Sequence, residues 1–312
     1  MTVSVVIPAY NAQDHIARAI DSVLAQTLLP EQIIVVDDGS GDNTSEVVKA
    51  YGEKVTYIHQ ENSGAGATRN TGIEAASSEW IAFLDSDDQW LPDKLRLQTD
   101  LLGGNPDLVW AYSNCFLNYQ SRNDRFPMLD ITKAKSLLNG RSFFDNYLKA
   151  QAAGFPAWTG TVIAKRDAVM EVGMFDPDLP LAQDIDLWFR LAYKHPAAGY
   201  IPIPLAVYNT ETPNSNVKRF TDISHICNII DRHLSLSAEQ NCRSEFQQCI
   251  YPIVHDWILK LSTQRRHHDM LALLNRYRNY LPRGYYLRKK IRALFPAPVA
   301  CYNKLAAKLK GK

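Results

Sequence analysis

Short runs of β-branched and aromatic residues alternate with helical patterns over the first 84 residues of the chain. The predicted strands are residues 3–7, 33–36, 55–59 and 80–84, and the predicted helices between them are residues 13–26, 43–52 and 65–77. Continuous apolar runs of this length are typical of strands buried on both faces. Alternation of strand and helix predicts an α/β fold with a parallel sheet and right-handed crossovers.

A polar cluster follows three of these strands. The clusters are PAYN (8–11), DDGS (37–40) and DSDD (85–88). In an open α/β sheet, ligands bind in the crevice beyond the carboxyl ends of the strands. The sequence therefore predicts one site at this edge of the sheet.

The pattern is less regular beyond residue 105. We predict a strand over 108–119, a helix over 133–150, a strand over 159–165, a helix or turn from Asp184 to Tyr193 and a last strand at 207–209. From about Phe220, apolar residues recur at helical spacing, for example Ile226, Ile229, Ile230, Ile250, Ile253, Trp257 and Leu261. We therefore expect a catalytic domain over residues 1–215 and a helical C-terminal region over residues 216–312.

The acidic turn, residues 85–88, is the strongest local signal. Carboxylates two positions apart, just past a buried strand, can face one crevice. Such hard oxygen ligands suit Mg²⁺ or Mn²⁺ bridging a diphosphate. A metal in that position would neutralise charge on a departing nucleoside diphosphate. The alternative is an Asp-rich turn that caps the next helix, since Pro92 and Asp93 follow closely.

Two other glycine-containing segments suggest rival functions. GAGATR (64–69) is close to the GxGxxG pattern of dinucleotide-binding oxidoreductases, but Arg69 stands where the third glycine should allow close helix–strand packing. DDGSGDN (37–43) suggests a calcium loop, which needs Gly at its sixth position and Glu at its twelfth. Counted from Asp38, those positions hold Asn43 and Lys49, so the calcium interpretation fails.

Cysteine usage and hydropathy bear on location. The five cysteines are odd in number and show no CxxC pair, which favours reduced thiols in a cytoplasmic protein. The N-terminal segment lacks the basic residues of a signal peptide, and no segment has the length of a membrane span. We expect a cytoplasmic protein, in solution or peripheral on the inner face of the cell membrane.

The charge is distributed asymmetrically along the chain. Residues 270–312 contain eleven Lys or Arg and no Asp or Glu, so the rest of the chain is acidic. This is not the pattern of a nucleic-acid-binding protein, and it predicts a separate anionic partner for the tail. Residues 282–312 also contain Tyr, Leu, Ile and Phe, which suggests an anionic membrane surface. A solvated basic terminus is the alternative.

Five segments in order resemble the family 2 glycosyltransferases, which are inverting enzymes with the GT-A fold. They are VSVVIPAYN, IIVVDDGSGDNT, GAGATRNTGI, WIAFLDSDD and QDIDLWFRL, and they extend over roughly residues 1–210. The resemblance implies a GT-A, Rossmann-like α/β fold with a mainly parallel central sheet, followed here by a helical region.

The resemblance also implies roles for individual residues. Donor nucleotide binding is implied for Pro8, Ala9, Tyr10, Asp38, Arg69, Asp85 and Ser86. Asp85 and Asp87 would hold Mn²⁺ or Mg²⁺, with Asp88 as an alternative ligand, and Asp184 would be the general base. Trp158, Thr159 and Gln183 would border the acceptor. The competing structural interpretations are a solvated Arg69 and exposed helix acids at 184 and 186. For Trp188 we predict packing in the core, with a sugar platform as the alternative.

The activity implied is inverting transfer from a nucleotide-diphosphate sugar, UDP-linked, to a saccharide or lipid-linked glycan acceptor, as in bacterial surface-polysaccharide or lipopolysaccharide biosynthesis. The alternative is a catalytically silent nucleotide-sugar-binding module of a polysaccharide assembly complex. The chain departs from the family pattern at Gln183, where Glu is usual, and in the segment 208–216. Asn209 and Glu211 stand there in place of the family's basic residue and nearby His.

Overall fold

The computed structural model describes residues 1–119, 121, 123–211 and 222–294. The chain divides into two compact units, Met1–Ile229 and Ile230–Lys312. The domain boundary expected between residues 215 and 216 lies outside the described residues and stays a prediction.

One sheet forms the centre of the first unit. Its described strands are β1 (Val3–Ala9), β2 (Gln32–Asp37), β3 (Thr56–His59), β4 (Trp80–Phe83), β5 (Gln89–Trp90), β6 (Trp110–Tyr119), β7 (Asp124–Pro127), β8 (Phe143–Phe144), β9 (Ile163–Lys165) and β10 (Ala198–Asn209). They are ordered β3-β2-β1-β4-β9-β6-β10-β5, with β7 paired to β6 and β8 paired to β10. The helices are α1 (Ile16–Leu24), α2 (Thr44–Lys49), α3 (Gly64–Ala75), α4 (Lys94–Gly103), α5 (Ile131–Leu138), α6 (Tyr147–Ala152), α7 (Arg166–Glu171) and α8 (Gln183–Lys194).

The α/β class is confirmed, and the sheet is mixed. Strands β3, β2, β1 and β4 are all parallel, as the alternation of strand and helix predicts, so the three polar clusters follow three neighbouring strands. Beyond β4 the regular repeat ends, and β9 lies antiparallel between β4 and β6. Parallel pairing recurs at β6 and β10, whereas β5, β7 and β8 pair antiparallel. Parallel pairing therefore joins the first four strands and recurs between β6 and β10, and the other pairs are antiparallel.

Three predicted elements differ in extent from those observed. The predicted helix 133–150 is two helices, α5 and α6, because Asn139 and Gly140 take left-handed conformations that end α5. The predicted strand 159–165 begins as a 3₁₀ turn, Thr159–Thr161, and only β9 is extended. The last strand begins at Ala198, and its register shifts around Pro204 because proline interrupts the ladder.

The core of the first unit is aromatic on the side of α8. Trp188 is fully buried, and its indole stacks on that of Trp110 with 6.2 Å between ring centroids. It also contacts Phe83 of β4 and Phe175. The prediction that Trp188 packs in the core is confirmed.

Helices dominate the second unit, and the prediction of a helical C-terminal region is confirmed. They are α9 (Ile223–Glu239, which begins in the first unit), α10 (Arg243–Thr263), α11 (His267–Arg276) and α12 (Arg283–Leu294). Buried residues at helical spacing line this unit's core, among them Ile230, Phe246, Ile250, Ile253, Leu261, Leu273 and Tyr277. Among the described residues, no helix has the length and apolar character that crossing a bilayer requires.

Helix α3 lies unusually close to strand β1. A Cβ atom at Gly72 would stand 2.3 Å from Cγ1 of Val6, a distance that a real Cβ contact does not reach. Val6 is fully buried in the middle of β1, so it has little room to move. Glycine at position 72 therefore sets how closely α3 approaches the sheet.

We predict that Gly72→Ala lowers the free energy of unfolding by about 1–3 kcal/mol, because the added methyl overpacks the contact with Val6. Gly103→Ala is the control, since a Cβ at that last residue of α4 meets nothing within 4 Å. The measurement is the urea-unfolding midpoint followed by tryptophan fluorescence. Equal midpoints for the two variants would contradict the prediction.

Candidate active site

Hydrogen bonds join the ends of β1 and β2 into one rim. The backbone N–H of Asp38 donates to the carbonyl of Ala9 at 2.9 Å. The N–H of Asn11 donates to Oγ of Ser40 at 2.9 Å, and the N–H of Gly41 donates to Oδ1 of Asn11 at 2.8 Å. Asn11 has a φ of 47°, a left-handed conformation that asparagine tolerates better than most residues. The two polar clusters therefore form one continuous surface.

The predicted nucleoside residues of β1 lie on this rim. Pro8 is half-buried and Ala9 is buried, whereas the side chain of Tyr10 is 45% exposed. An exposed aromatic ring at the carboxyl end of a central strand is available to a ligand. The nucleotide-binding role of these three residues stays a prediction.

Asp38 anchors the start of helix α3. Its Oδ1 accepts hydrogen bonds from Nε2 of Gln60 and from the N–H of Ser63, each at 2.8 Å, and its Oδ2 accepts one from the N–H of Gly64 at 2.9 Å. Free N–H groups at a helix N-terminus favour a carboxylate through hydrogen bonding and the helix dipole. An ionised carboxylate has about four acceptor positions, so about one remains for a ligand. The sequence reasoning missed this anchoring role.

Arg69 makes the central ion pair of the site. Its Nη2 lies 2.6 Å from Oδ1 of Asp85, and its guanidinium lies 5.4 Å from the ring centroid of Phe175. Only 8% of Arg69 is exposed, so the solvated-helix interpretation is wrong. Charge-assisted pairs of this kind are short and directional. Helix α3 therefore places the buried guanidinium of Arg69 against the turn that follows β4.

The acidic turn is closed by a hydrogen bond from the N–H of Asp88 to the carbonyl of Asp85 at 3.1 Å. Asp88 is buried, and burial raises the pKa of its carboxyl well above the usual value, an effect that Asp87 and then Asp85 increase. Ser86 is half-buried in the same turn. The turn does not cap the next helix, because α4 begins at Lys94 with Asp93 in the capping position. The capping interpretation of the turn is therefore wrong.

Asp184 lies in the first turn of α8, two residues after a strained position. Ala182 has a φ of 62°, a left-handed conformation that is uncommon for a residue with a Cβ. Where such residues do occur, they are concentrated at functional sites. Oδ2 of Asp184 accepts a hydrogen bond from Oγ1 of Thr159 at 3.1 Å. Burial raises the pKa of Asp184, while Arg69 and the Thr159 hydroxyl act to lower it.

The neighbouring acid, Asp186, has a different environment. It is fully buried, and its Oδ2 lies 2.6 Å from Nη2 of Arg190 one helical turn later. Asp184 is half-buried, so neither acid is an exposed helix residue and that interpretation is wrong. Gln183, the other residue predicted to border the acceptor on α8, is half-buried at the first helical position.

Trp158 and Tyr208 form an aromatic pair at 4.9 Å between ring centroids. The Trp158 indole lies over Gly160, where a Cβ would stand 2.6 Å from Cη2 of the indole. Burial raises the pKa of the Tyr208 hydroxyl, and the carboxylates of the acidic turn and of Asp184 raise it further. Tyr208 therefore lies in the electrostatic field of both groups. The sequence reasoning missed it, although its place near the end of a strand was a signal.

The chemistry of the acidic turn fits a hard divalent cation. Oδ2 of Asp88 is buried and has no hydrogen-bond partner among the described residues. The same part of the chain contains no group of three or more His, Cys, Asp or Glu that could hold a metal ion by itself. Mg²⁺ needs no such group, because it is usually held by one or two carboxylates together with substrate phosphates. Asp85, Asp87 and Asp88 provide oxygen ligands of that type.

Comparison with known families identifies the fold and the family. The family model described as "Glycosyl transferase family 2" matches residues 4–168, which include β1 to β4 and the acidic turn. The chain belongs to glycosyl transferase family 2.

Relatives of this family 2 chain are bacterial. The chain is 34% identical over 197 residues to TuaG of Bacillus subtilis (strain 168), which is provisionally named a teichuronic acid biosynthesis glycosyltransferase. The aligned region covers 62% of this chain and 72% of TuaG. The chain is also 33% identical over 190 residues to an uncharacterized glycosyltransferase of Rickettsia typhi, with 60% of this chain covered. The chain spans 58% of the length of that protein and 31% of a Rickettsia felis relative.

Solved structures extend the likeness over most of the chain. Residues 1–349 of S. aureus TarS in complex with UDP-GlcNAc superpose with a TM-score of 0.67 at 16% identity, covering 94% of this chain and 89% of that one. The structure of TarS 1–349 described without a ligand gives a TM-score of 0.55 at 19% identity. These likenesses show the fold, and the predicted GT-A architecture is confirmed.

Proposed function

We propose that this chain is a metal-dependent, inverting hexosyl- or N-acetylhexosaminyl-transferase that moves a sugar from a nucleotide-diphosphate sugar to a saccharide acceptor. One observation carries the proposal. The buried Arg69–Asp85 ion pair joins the turn after β4 to α3, and Arg69 also acts on the carboxyl of Asp184. A cation, an oxygen-rich turn and a candidate base therefore share one crevice, which is what displacement of a diphosphate requires.

Asp184 is the proposed general base. Single displacement needs a carboxylate beside the incoming hydroxyl, which takes up the proton as the new bond forms and leaves the anomeric centre inverted. The Thr159 hydroxyl donates to one carboxylate oxygen and orients the group. Burial makes Asp184 more basic than an exposed aspartate, which suits proton uptake near neutral pH.

The acidic turn is the proposed leaving-group side. Asp85 and Asp87 would hold Mn²⁺ or Mg²⁺, with the unpartnered oxygen of Asp88 as an alternative ligand. The cation, when bound, supplies Lewis-acid stabilisation of the departing diphosphate. Arg69 holds Asp85 in place through its ion pair and adds positive charge beside the turn.

The donor and acceptor classes rest on relatives. TarS was crystallised with UDP-GlcNAc, which supports a UDP-linked donor bound along the rim of Tyr10 and Asp38. TuaG carries a name from teichuronic acid biosynthesis, which supports an acceptor glycan of a bacterial surface polysaccharide or lipopolysaccharide. Trp158 and Thr159 border the space beside Asp184 where such an acceptor would bind.

A peripheral position on an anionic membrane completes the proposal. Leu287, Ile291 and Leu294 are 49%, 53% and 50% exposed, and their spacing places them on one face of α12. Tyr285 and Ala293 are buried on the other side of the helix. The same helix carries Arg283, Arg288, Lys289, Lys290 and Arg292. An apolar stripe flanked by basic residues is typical of interfacial helices. The rest of the predicted membrane segment, residues 295–312, lies outside the described residues.

We predict that Asp184→Asn lowers sugar transfer by about 100-fold or more, because the general base is lost. The affinity of Asp184→Asn for UDP in the presence of Mn²⁺ should stay within about twofold of that of the parent protein, since the nucleotide contacts are intact. Asp87→Ala should instead weaken Mn²⁺-dependent UDP binding by about tenfold. The measurements are UDP release from UDP-GlcNAc and related donors, and calorimetric UDP binding. Substantial turnover by Asp184→Asn would remove Asp184 from its role, and a parent protein that binds UDP without turnover would favour the silent binding module.

The acid limb of the pH–rate profile should lie above the ordinary aspartate pKa of 3.8, because the pKa of Asp184 is raised and only the ionised carboxylate accepts a proton. Thr159→Val removes a hydrogen bond that lowers this pKa, so the limb should move to higher pH. Thr68→Val is the control, since its hydroxyl donates within α3 to the carbonyl of Gly64. A limb that moves to lower pH in Thr159→Val, or moves equally in both variants, would contradict the assignment.

Replacing Leu287 and Ile291 together by Ser should weaken binding to phosphatidylglycerol-containing vesicles by about fivefold or more, because burial of a leucine-sized side chain contributes about 1.5–3 kcal/mol. Leu259→Ser is the control, since Leu259 is also exposed on a helix of the same unit. The measurement is co-sedimentation of full-length protein with vesicles, with pure phosphatidylcholine for comparison. Equal binding of parent and double variant, or no preference for anionic lipid, would contradict the membrane proposal.

A further inference from the structure

Asn209 holds the acidic turn at Asp87 and Asp88, whereas Arg69 pairs with Asp85. It is the last residue of β10 and is only 4% exposed. Its backbone N–H donates to Oδ1 of Asp88 at 2.8 Å, and its Nδ2 donates to the carbonyl of Asp87 at 2.6 Å. One residue therefore fixes both the backbone and a carboxyl of the turn.

The position of Asn209 is itself fixed by the sheet. Asn118 of β6 is its register partner, and Nδ2 of Asn118 donates to Oδ1 of Asn209 at 2.7 Å. Strand β5, which follows the turn, pairs with β10 through Gln89 and Val207. The Asn118 contact also fixes the amide orientation, because an oxygen facing Asn118 leaves Nδ2 to face Asp87.

The turn needs such support because its carboxylates repel one another. Asp85, Asp87 and Asp88 stand within four consecutive residues, and Asp88 is only 1% exposed. Arg69 offsets the charge of Asp85, and Nη2 of Arg18 donates to the carbonyl of Asp87 at 3.2 Å. Asn209 differs from both arginines because its amide is neutral. It holds the turn without reducing the negative charge that would attract a cation.

We propose that Asn209 is a positioning residue that presets Asp87 and Asp88 for a divalent cation and the donor diphosphate. The proposal rests on the proposed function, in which this turn holds the cation. Residues that orient metal ligands typically change metal affinity by 10–100-fold when they are replaced. Asn118, whose side-chain amide contacts Asn209 and not the turn, should have a smaller effect.

Asn114 offers a matched control for a general loss of stability. It is fully buried on β6, and its Nδ2 donates to the carbonyls of Leu129 and Pro202 at 2.8 and 3.1 Å. Its Oδ1 accepts from the N–H groups of Cys115 and Leu129. Asn114 therefore joins β6 to β10 by the same kind of side chain, through contacts that do not include the acidic turn.

The test compares Asn209→Ala, Asn118→Ala and Asn114→Ala in the full-length protein. Free Mn²⁺ is measured by electron paramagnetic resonance during titration with Mn²⁺ at saturating UDP, and hydrogen exchange of the peptide containing residues 84–90 is measured without ligand. We expect Asn209→Ala to weaken Mn²⁺ binding by about tenfold or more and Asn118→Ala by about threefold. Asn114→Ala should stay within about twofold while lowering the melting temperature. Exchange over 84–90 should accelerate in Asn209→Ala and not in Asn114→Ala.

The outcomes separate this proposal from the proposed function. If the parent binds Mn²⁺ with UDP and Asn209→Ala binds equally well, the positioning role is overturned. If Asn114→Ala weakens binding as much as Asn209→Ala, the effect is general destabilisation and the role is again overturned. If the parent binds no Mn²⁺ in the presence of UDP, the metal-dependent function is contradicted, and the cation role of Asn209 is contradicted with it. Faster hydrogen exchange over residues 84–90 in Asn209→Ala, and not in Asn114→Ala, would then still show that Asn209 stabilises the turn.

Discussion

Repulsion between the carboxylates after β4 is the constraint on which the site depends. Two unit charges 4 Å apart near a protein surface interact by about 4 kcal/mol, so several carboxylates in one turn need compensation. Arg69 supplies it at Asp85 through a 2.6 Å ion pair. Arg69 can do so only because α3 lies close to the sheet, and two features place α3 there. Gly72 permits its close approach to β1, and Asp38 accepts the N–H groups at its start.

Those parts of the fold that depend on local pattern could be predicted from the sequence. The buried runs at 3–7, 33–36 and 80–84 have one interpretation, since a continuous β-branched run between helical patterns must be a central strand. Their parallel order follows from the crossover helices, and with it the convergence of the three polar clusters at one edge. The segment that carries Asp184 could be placed only as a helix or turn, and Asp184 lies in the first turn of helix α8.

Features that depend on distant contacts could not be predicted. Nothing near Asp38 in the sequence indicates that its carboxylate binds the start of a helix 25 residues later. Asn209 is separated in sequence by more than a hundred residues from the turn that it holds. The break at Asn139 within the predicted helix 133–150 depends on a backbone conformation that Asn adopts only in some contexts. The full length of strand β10 could not be predicted, because its prolines shift the register and such shifts leave no periodic pattern in the sequence.

Arg69 also joins the two halves of the proposed chemistry, and this governs what its replacement can reveal. It pairs with Asp85 on the leaving-group side, and it lowers the pKa of Asp184 on the acceptor side. Loss of its charge would free Asp85 and at the same time raise the pKa of the base. A slow Arg69 variant would therefore not distinguish weak donor binding from an incorrectly protonated base. Asp184 and Asp87 each act on only one half of the proposed reaction, so substitutions there are the ones that separate base catalysis from cation binding.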